Sequence, residues 1–351
     1  MRLLILSCAI AIAAAARAAV PAAPAACSAR PSLSITGAPY ALTGALCPVH
    51  DPCLARDADG SLHVFSTDIG ASPATGYIAH RCSADGAAFA LCGAVFAALP
   101  RWLLARLPGL AGLWAPDVSF DRASGRWLLY YAASAFGSQD SVIGLAATDS
   151  LSRPAWRDLG PVLASRAGDA YNAIDPSRSF FGDLAFGSFW GGLYAVPLAA
   201  NGSAAPPPPP PPRHLAQRAS PDALEAASLL HVARADGAAE PWLLASFDLC
   251  CRGAASTYNV RAGRAGNASG GAFLDAAGVA LLAGGGTRLL GGGHGYAAAG
   301  GQSPLRTADA APPPAAQLLP LALHAYDAVR GDPWLQIVQL DFSGAWVRVA
   351  D

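Results

Sequence analysis

Charge is scarce in this chain: only 13% of its 351 residues are Asp, Glu, Lys or Arg, and 23 basic against 24 acidic residues leave a formal net charge of −1. No strongly basic tract supplies the electrostatic footprint that phosphate backbones demand, so nucleic acid is excluded as an expected partner. Amphipathic periodicity of helix length is also scarce. The recurrence of strand-like segments has no fixed period of the kind seen in WD40 arrays. Beyond the N-terminus, apolar stretches are broken by Gly, Pro or charge before reaching the roughly 20 residues that cross a bilayer. There is no GxxxxGK[ST] loop: Gly284-Gly285-Gly286-Thr287 and Gly291-Gly292-Gly293-His294-Gly295 have no helical pattern behind them and are read as tight turns. Vicinal Cys250-Cys251 lacks a second Cys/His pair at zinc-finger distance and is read as structural.

What is present is apolar material. A hydrophobic share of 53% is ample for a large core. Strand-length segments recur between turn signals: Leu62 to Ser66, Trp127 to Ala132, Val142 to Ala147, Leu184 to Phe189, Trp242 to Phe247 and Leu335 to Leu340. The chain reads as all-β. Periodicity alone leaves sandwich, barrel and propeller open.

Met1-Arg2 followed by an apolar run to Ala16, with small residues at Ala18 and Ala19, reads as an export signal over 1–19; a membrane anchor is the alternative, against which stand the short run and Arg17. Residues 20–39 read as an Ala/Pro-rich linker, 40–351 as the folded domain, and 206–212 as a solvated polyproline loop inserted within it. The expected product is a secreted monomer with no membrane partner. With Cys8 in the signal, seven cysteines remain, so one is expected unpaired; disulfides are expected among Cys27, Cys47, Cys53, Cys82 and Cys92, with Cys82 and Cys92 the best local pair. The sequons at Asn201 and Asn267 carry glycans only in a eukaryotic source.

Three short acidic motifs carry the chemistry: His50-Asp51-Pro52, Asn172-Ala173-Ile174-Asp175-Pro176-Ser177 and Leu224-Glu225-Ala226. Glycosidic bonds are commonly broken by one protonated and one ionised carboxylate, often with a third tuning the acid. Singly, each has a plainer reading. An Asp before Pro usually caps a turn, and Glu225 fits a short exposed helical turn from Pro221 to Ala227, although an ionised side chain among Ala and Leu is costly when buried. Trp114 and Trp190 read either as core aromatics or as platforms for sugar rings, with Asn172 and Ser188 as polar neighbours for sugar hydroxyls. His294, cradled by glycines, is left open between a metal ligand and a packed histidine.

Together these segments resemble glycoside hydrolase family 43, in particular its arabinan endo-1,5-α-L-arabinosidases. The resemblance runs from about Val49 to Trp346 and includes Trp114-Ala115-Pro116-Asp117-Val118, Trp156-Arg157-Asp158-Leu159-Gly160, Gly187-Ser188-Phe189-Trp190-Gly191-Gly192, Ser256-Thr257-Tyr258 and His324-Ala325-Tyr326-Asp327. It implies a five-bladed β-propeller, inversion of configuration and arabinan or its oligosaccharides as substrate. By position, Asp51 resembles the general base, Glu225 the general acid, and Asp175 the carboxylate that raises the acid's pKa. His294 resembles the histidine that faces a central ion, commonly calcium, with His324 as the other place to seek that ion. An exo-acting arabinofuranosidase or β-xylosidase, and a non-catalytic sugar-binding propeller, are the alternatives on the same fold. Arg178 to Leu184, Arg264-Ala265-Gly266-Asn267 and the Ala/Pro-rich stretch from Tyr296 to Leu321 depart from the family pattern.

Overall fold

A computed structural model describes Cys27 and residues 30–70, 74–206, 210–265, 271–309 and 311–350. The expected export signal, Cys8, the Asn267 sequon and residues 207–209 of the polyproline tract lie outside the described residues.

Five sheets follow one another along the chain, each built on an antiparallel meander of short strands, and in the first the short strand Thr43–Gly44 adds in parallel to the outer strand Ala88–Phe96. They are the blades of a five-bladed β-propeller. Their innermost strands are Cys53–Arg56, Trp114–Asp121, Ser177–Arg178, Leu224–Ala233 and Tyr296–Pro304. The expected strands fall inside observed ones: Trp127 to Ala132 within Arg126–Ala133, Val142 to Ala147 within Ser141–Thr148, and Leu335 to Leu340 within Pro333–Asp341. The third-blade strand Asp183–Phe186 stops short of the expected Phe189, because Gly187 adopts a positive φ of 126° and turns the chain towards the centre. The departing stretch from Tyr296 still forms a strand pair, Tyr296–Pro304 with Leu319–Asp327, joined by a long Pro-rich loop.

Blade faces that are apolar on both sides stack into a ring of cores, which accounts for the near-continuous apolar strands Trp127 to Ala133 and Val142 to Ala147, buried almost throughout. The ring closes by hydrogen bonds between its first and last blades. Arg306 N–H donates to Leu54 O and Arg56 N–H to Arg306 O, both at 2.8 Å.

Part of the expected linker belongs to this closure. Ile35 is buried, its N–H donates to Gln336 Oε1 at 3.0 Å, and the Tyr296 hydroxyl donates to Leu33 O at 2.9 Å. Cys27 is bonded to Cys47. Residues 30–39 are therefore packed on the fifth blade, and the composition that suggested a spacer reflects an irregular strap. Cys82 pairs with Cys92 as expected, Cys250 pairs with its neighbour Cys251, and the unpaired thiol is Cys53, buried between the first and second blades. Among the described residues no helix is long and apolar enough to cross a membrane.

Candidate active site

The inner strands bring the three carboxylates to one end of the propeller axis. Asp51 ends the loop entering the first blade, and Arg81 ties that loop down by donating to Ala45 O and Pro48 O, each at 2.8 Å. Asp51 and Asp175 both have positive φ, 45° and 55°, and each precedes a proline. Asp tolerates the left-handed region better than most residues, and such conformations persist where the surrounding structure fixes them.

Asp51 Oδ2 faces His50 Nδ1 at 2.8 Å and accepts from Thr67 Oγ1 at 2.7 Å, while its N–H donates to His324 Nδ1 at 3.1 Å. Burial pushes the Asp51 carboxyl up, but the charge and hydrogen bond of His50, with His324 and Thr67, outweigh it and bring it down to about 2. For His50, burial disfavours the charged ring, and the Asp51 charge and hydrogen bond with Glu225 reverse this, so its pKa is raised. Gly301, φ +60°, makes the close approach possible: a Cβ there would lie 2.4 Å from Asp51 Oδ1.

Glu225 sits on the fourth blade's inner strand, not on a helical turn. A bulge between Glu225 and Ser228, with Ala226 at φ 54°, turns this side chain to the axis. Glu225 is only 8% exposed. Its Oε2 accepts from Ser188 Oγ at 2.7 Å, and Tyr258 bonds it from the other side. Burial and the Asp51 charge raise its pKa against those donors. Asp175 Oδ2 accepts from Ala226 N–H at 2.9 Å, and burial, Glu225 and Asp51 together hold its pKa well above the ordinary value. Two neighbouring buried carboxyls cannot both ionise cheaply, so Glu225 and Asp175 retain a proton between them while Asp51 stays ionised.

The remaining expected site residues divide. Trp114, opening the second blade's inner strand, and Trp190, in the loop beside Leu224, are half-buried at this end of the axis. Ser188 has a different employment from the expected sugar contact, since its hydroxyl is spent on Glu225. Asn172 is 1% exposed and its Oδ1 accepts from Ser141 Oγ at 2.7 Å, which fixes the loop bearing Asp175. His294 is not in the site: it is exposed, with its ring against Gly37 of the N-terminal strap. The axial histidine is His324, wholly buried and stacked on His50 with ring centroids 3.8 Å apart. Its Nε2 is buried with no hydrogen-bond partner among the described residues. Burial and His50 keep it neutral. Because Nδ1 accepts from Asp51 N–H, the neutral ring carries its hydrogen on Nε2, so this nitrogen would meet the water shell of a cation rather than the cation itself, and a mostly hydrated ion such as calcium, which prefers six to eight oxygens, fits on those terms.

Sequence reasoning assigned no role to His50, Thr67, Tyr258 or Tyr326. His50, Tyr258 and Tyr326 lie within the sequence motifs and Thr67 directly follows the Leu62 to Ser66 segment, but the signal for their roles is spatial: the Tyr326 hydroxyl faces His50 Nε2 at 2.5 Å and accepts from Cys251 N–H at 3.0 Å.

An ionised carboxylate facing a protonated one over the axis of a five-bladed propeller defines a glycosidase. Among known proteins, the chain is 33% identical over 238 residues to the extracellular endo-α-(1→5)-L-arabinanase 1 of Bacillus subtilis, covering 66% of this chain and 67% of that protein. The GH43 endo-arabinanase of Bacillus licheniformis superimposes with a TM-score of 0.74 at 32% identity, over 88% of this chain and 99% of that one. A probable arabinan endo-1,5-α-L-arabinosidase A of Aspergillus flavus is 39% identical over 169 residues, 47% of this chain and about half (49%) of that protein's length. No family model matches the chain. The chain belongs to glycoside hydrolase family 43, in its arabinanase branch.

Proposed function

We propose that the protein is an exported, monomeric glycosidase that hydrolyses internal α-1,5-L-arabinofuranosyl linkages of arabinan and its oligosaccharides with inversion. The observation that carries this reading is the split of protonation between Asp51, held down to about 2, and Glu225, held up by burial. In this reading Asp51 takes a proton from the attacking water as that water adds to the anomeric carbon. Glu225 gives its proton to the departing arabinosyl oxygen, and Asp175 keeps the acid protonated. Trp114 and Trp190 are the surfaces offered to sugar faces. A mostly hydrated cation, calcium in the family resemblance, would be held through its water shell beside His324 and Asp51. Its charge would favour the ionised form of Asp51.

Product profiling on linear arabinan is the test. Mixed oligosaccharides at the earliest times, whose new reducing ends appear by NMR in the inverted configuration, are expected. Monosaccharide alone from the start would make the enzyme exo-acting. Binding without turnover would make it a sugar-binding propeller.

A further inference from the structure

At the end of the axis opposite the carboxylates, the inner strands of the second to fifth blades run out into a second pocket. It opens to solvent and is larger than the one beside Asp51. Its lining is basic: Arg122, Arg178 and Arg306, with the neutral His231. Arg306 and Arg178, both half-buried, each spend Nη2 on a carboxylate, Arg306 on Asp117 at 2.7 Å and Arg178 on Asp121 at 3.1 Å. The Nε of each is buried with no partner, as are His231 Nδ1 and Ser119 Oγ, which line the same pocket. His231 is more than nine-tenths buried. Arg122 lies over the Phe180 ring at 4.7 Å and makes no ion pair among the described residues. The one carboxylate at the mouth, Asp309, is exposed and accepts from Thr307 Oγ1 at 2.6 Å.

Buried polar atoms left unpaired are costly; the two guanidinium Nε–H groups can only donate, and Ser119 Oγ and one tautomer of His231 can do the same, so an acceptor in the cavity would satisfy all four. Asp117 and Asp121 are matched to Arg306 and Arg178, and the remaining carboxylate, Asp309, lies exposed at the mouth, so among the described residues no carboxylate is paired with Arg122. We propose that this pocket binds a small oxyanion, a carboxylate or phosphate group, at a site separate from the glycosidase cleft. The guanidinium edges of Arg178 and Arg306 and the ring nitrogen of His231 meet its oxygens, and Arg122 closes over it. The inference does not depend on which glycoside the enzyme cleaves.

Titration calorimetry of the full chain with inorganic phosphate and, separately, with sodium galacturonate tests this in a phosphate-free, calcium-free buffer. Saturable one-to-one binding at about millimolar concentration or tighter is expected, weakened about tenfold or more in Arg122→Ala. Arg122 is exposed and unpaired, so that variant keeps its fold. His231→Phe should lose affinity and His231→Gln should regain part of it. Tighter binding of phosphate identifies a free inorganic anion as the occupant, and tighter binding of galacturonate identifies a carboxylated sugar. No saturable binding of either at roughly ten times that concentration, or binding that is the same in Arg122→Ala and His231→Phe, overturns the proposal and leaves the pocket to water.

Discussion

His50 Nδ1 lies 2.8 Å from Asp51 Oδ2, and this contact is the largest influence drawing the Asp51 carboxyl below its ordinary range against the effect of burial. On its other side the His50 ring faces the Tyr326 hydroxyl, and its face is stacked on His324. The base therefore rests on a histidine fixed on three sides.

His50→Phe keeps the ring stacking and removes the hydrogen bond and charge. Asp51 acts only when ionised, so losing a contact that lowers its pKa must move the acid limb of the kcat/KM profile up from about 2, towards or beyond the ordinary 3.8. Activity near neutral pH should fall far less than activity below about pH 4. An acid limb that stays in place would show that His50 only packs.

Glu225→Ala and Asp51→Ala should each cost at least roughly 10²–10⁴-fold in kcat while leaving oligosaccharide binding nearly intact. An activated aryl arabinoside separates their roles, because its leaving group needs little protonation. Glu225→Ala should be partly rescued on it and Asp51→Ala should not; equal rescue would reverse or dissolve the assignment.

Ser188→Ala removes a donor that favours ionised Glu225. The acid then holds its proton to higher pH, so the alkaline limb should move upward. Loss of the 2.7 Å contact also frees the side chain, and kcat should drop by about tenfold. A downward shift of that limb would contradict the hydrogen bond's direction.

The strands and the all-β class were legible because apolar segments with turn signals at their ends are a local property. So were Asp51, Asp175 and Glu225, as members of three quoted motifs. Choice among sandwich, barrel and propeller was not local, and came only from the resemblance. Ser188 and Asn172 read as partners for sugar hydroxyls, whereas their hydroxyl and amide oxygen meet Glu225 and Ser141, 37 and 31 residues away, and no spacing rule encodes those contacts. His294 and His324 differ in the opposite sense. The glycines around His294 make it conspicuous in text, whereas His324 is hidden in an apolar strand where a histidine reads as core.

Asp175→Asn should stabilise the fold at neutral pH while impairing turnover. Folding raises the Asp175 pKa well above its ordinary value, so between the two values the folded state binds more protons than the unfolded one. Stability from this group is thus complete below the unfolded pKa and lost as pH rises through the folded one. An amide has no such term. The melting temperature of Asp175→Asn should therefore exceed that of the parent at neutral pH, with the gap closing as pH falls towards the unfolded carboxylate's range; a lower melting temperature at neutral pH would mean that the ionised form is the one the site stabilises.

The last prediction sets His324 against His294. If a cation is held through its water shell beside the orphaned His324 Nε2, its charge adds to that of His50 in keeping Asp51 ionised. Exhaustive chelation should then lower activity and raise the acid limb, and restoring calcium should reverse both. His324→Ala should show the chelated behaviour without chelator and gain nothing from added calcium. Its ring is wholly buried, so circular dichroism must first establish that the variant is folded; His324→Phe, which fills the ring's space and removes both nitrogens, serves if it is not. His294→Ala, exposed and remote from the carboxylates, should leave the pH profile as it is. Chelation that changes nothing would remove the ion from the mechanism and leave the His50 contact as the main support of the base.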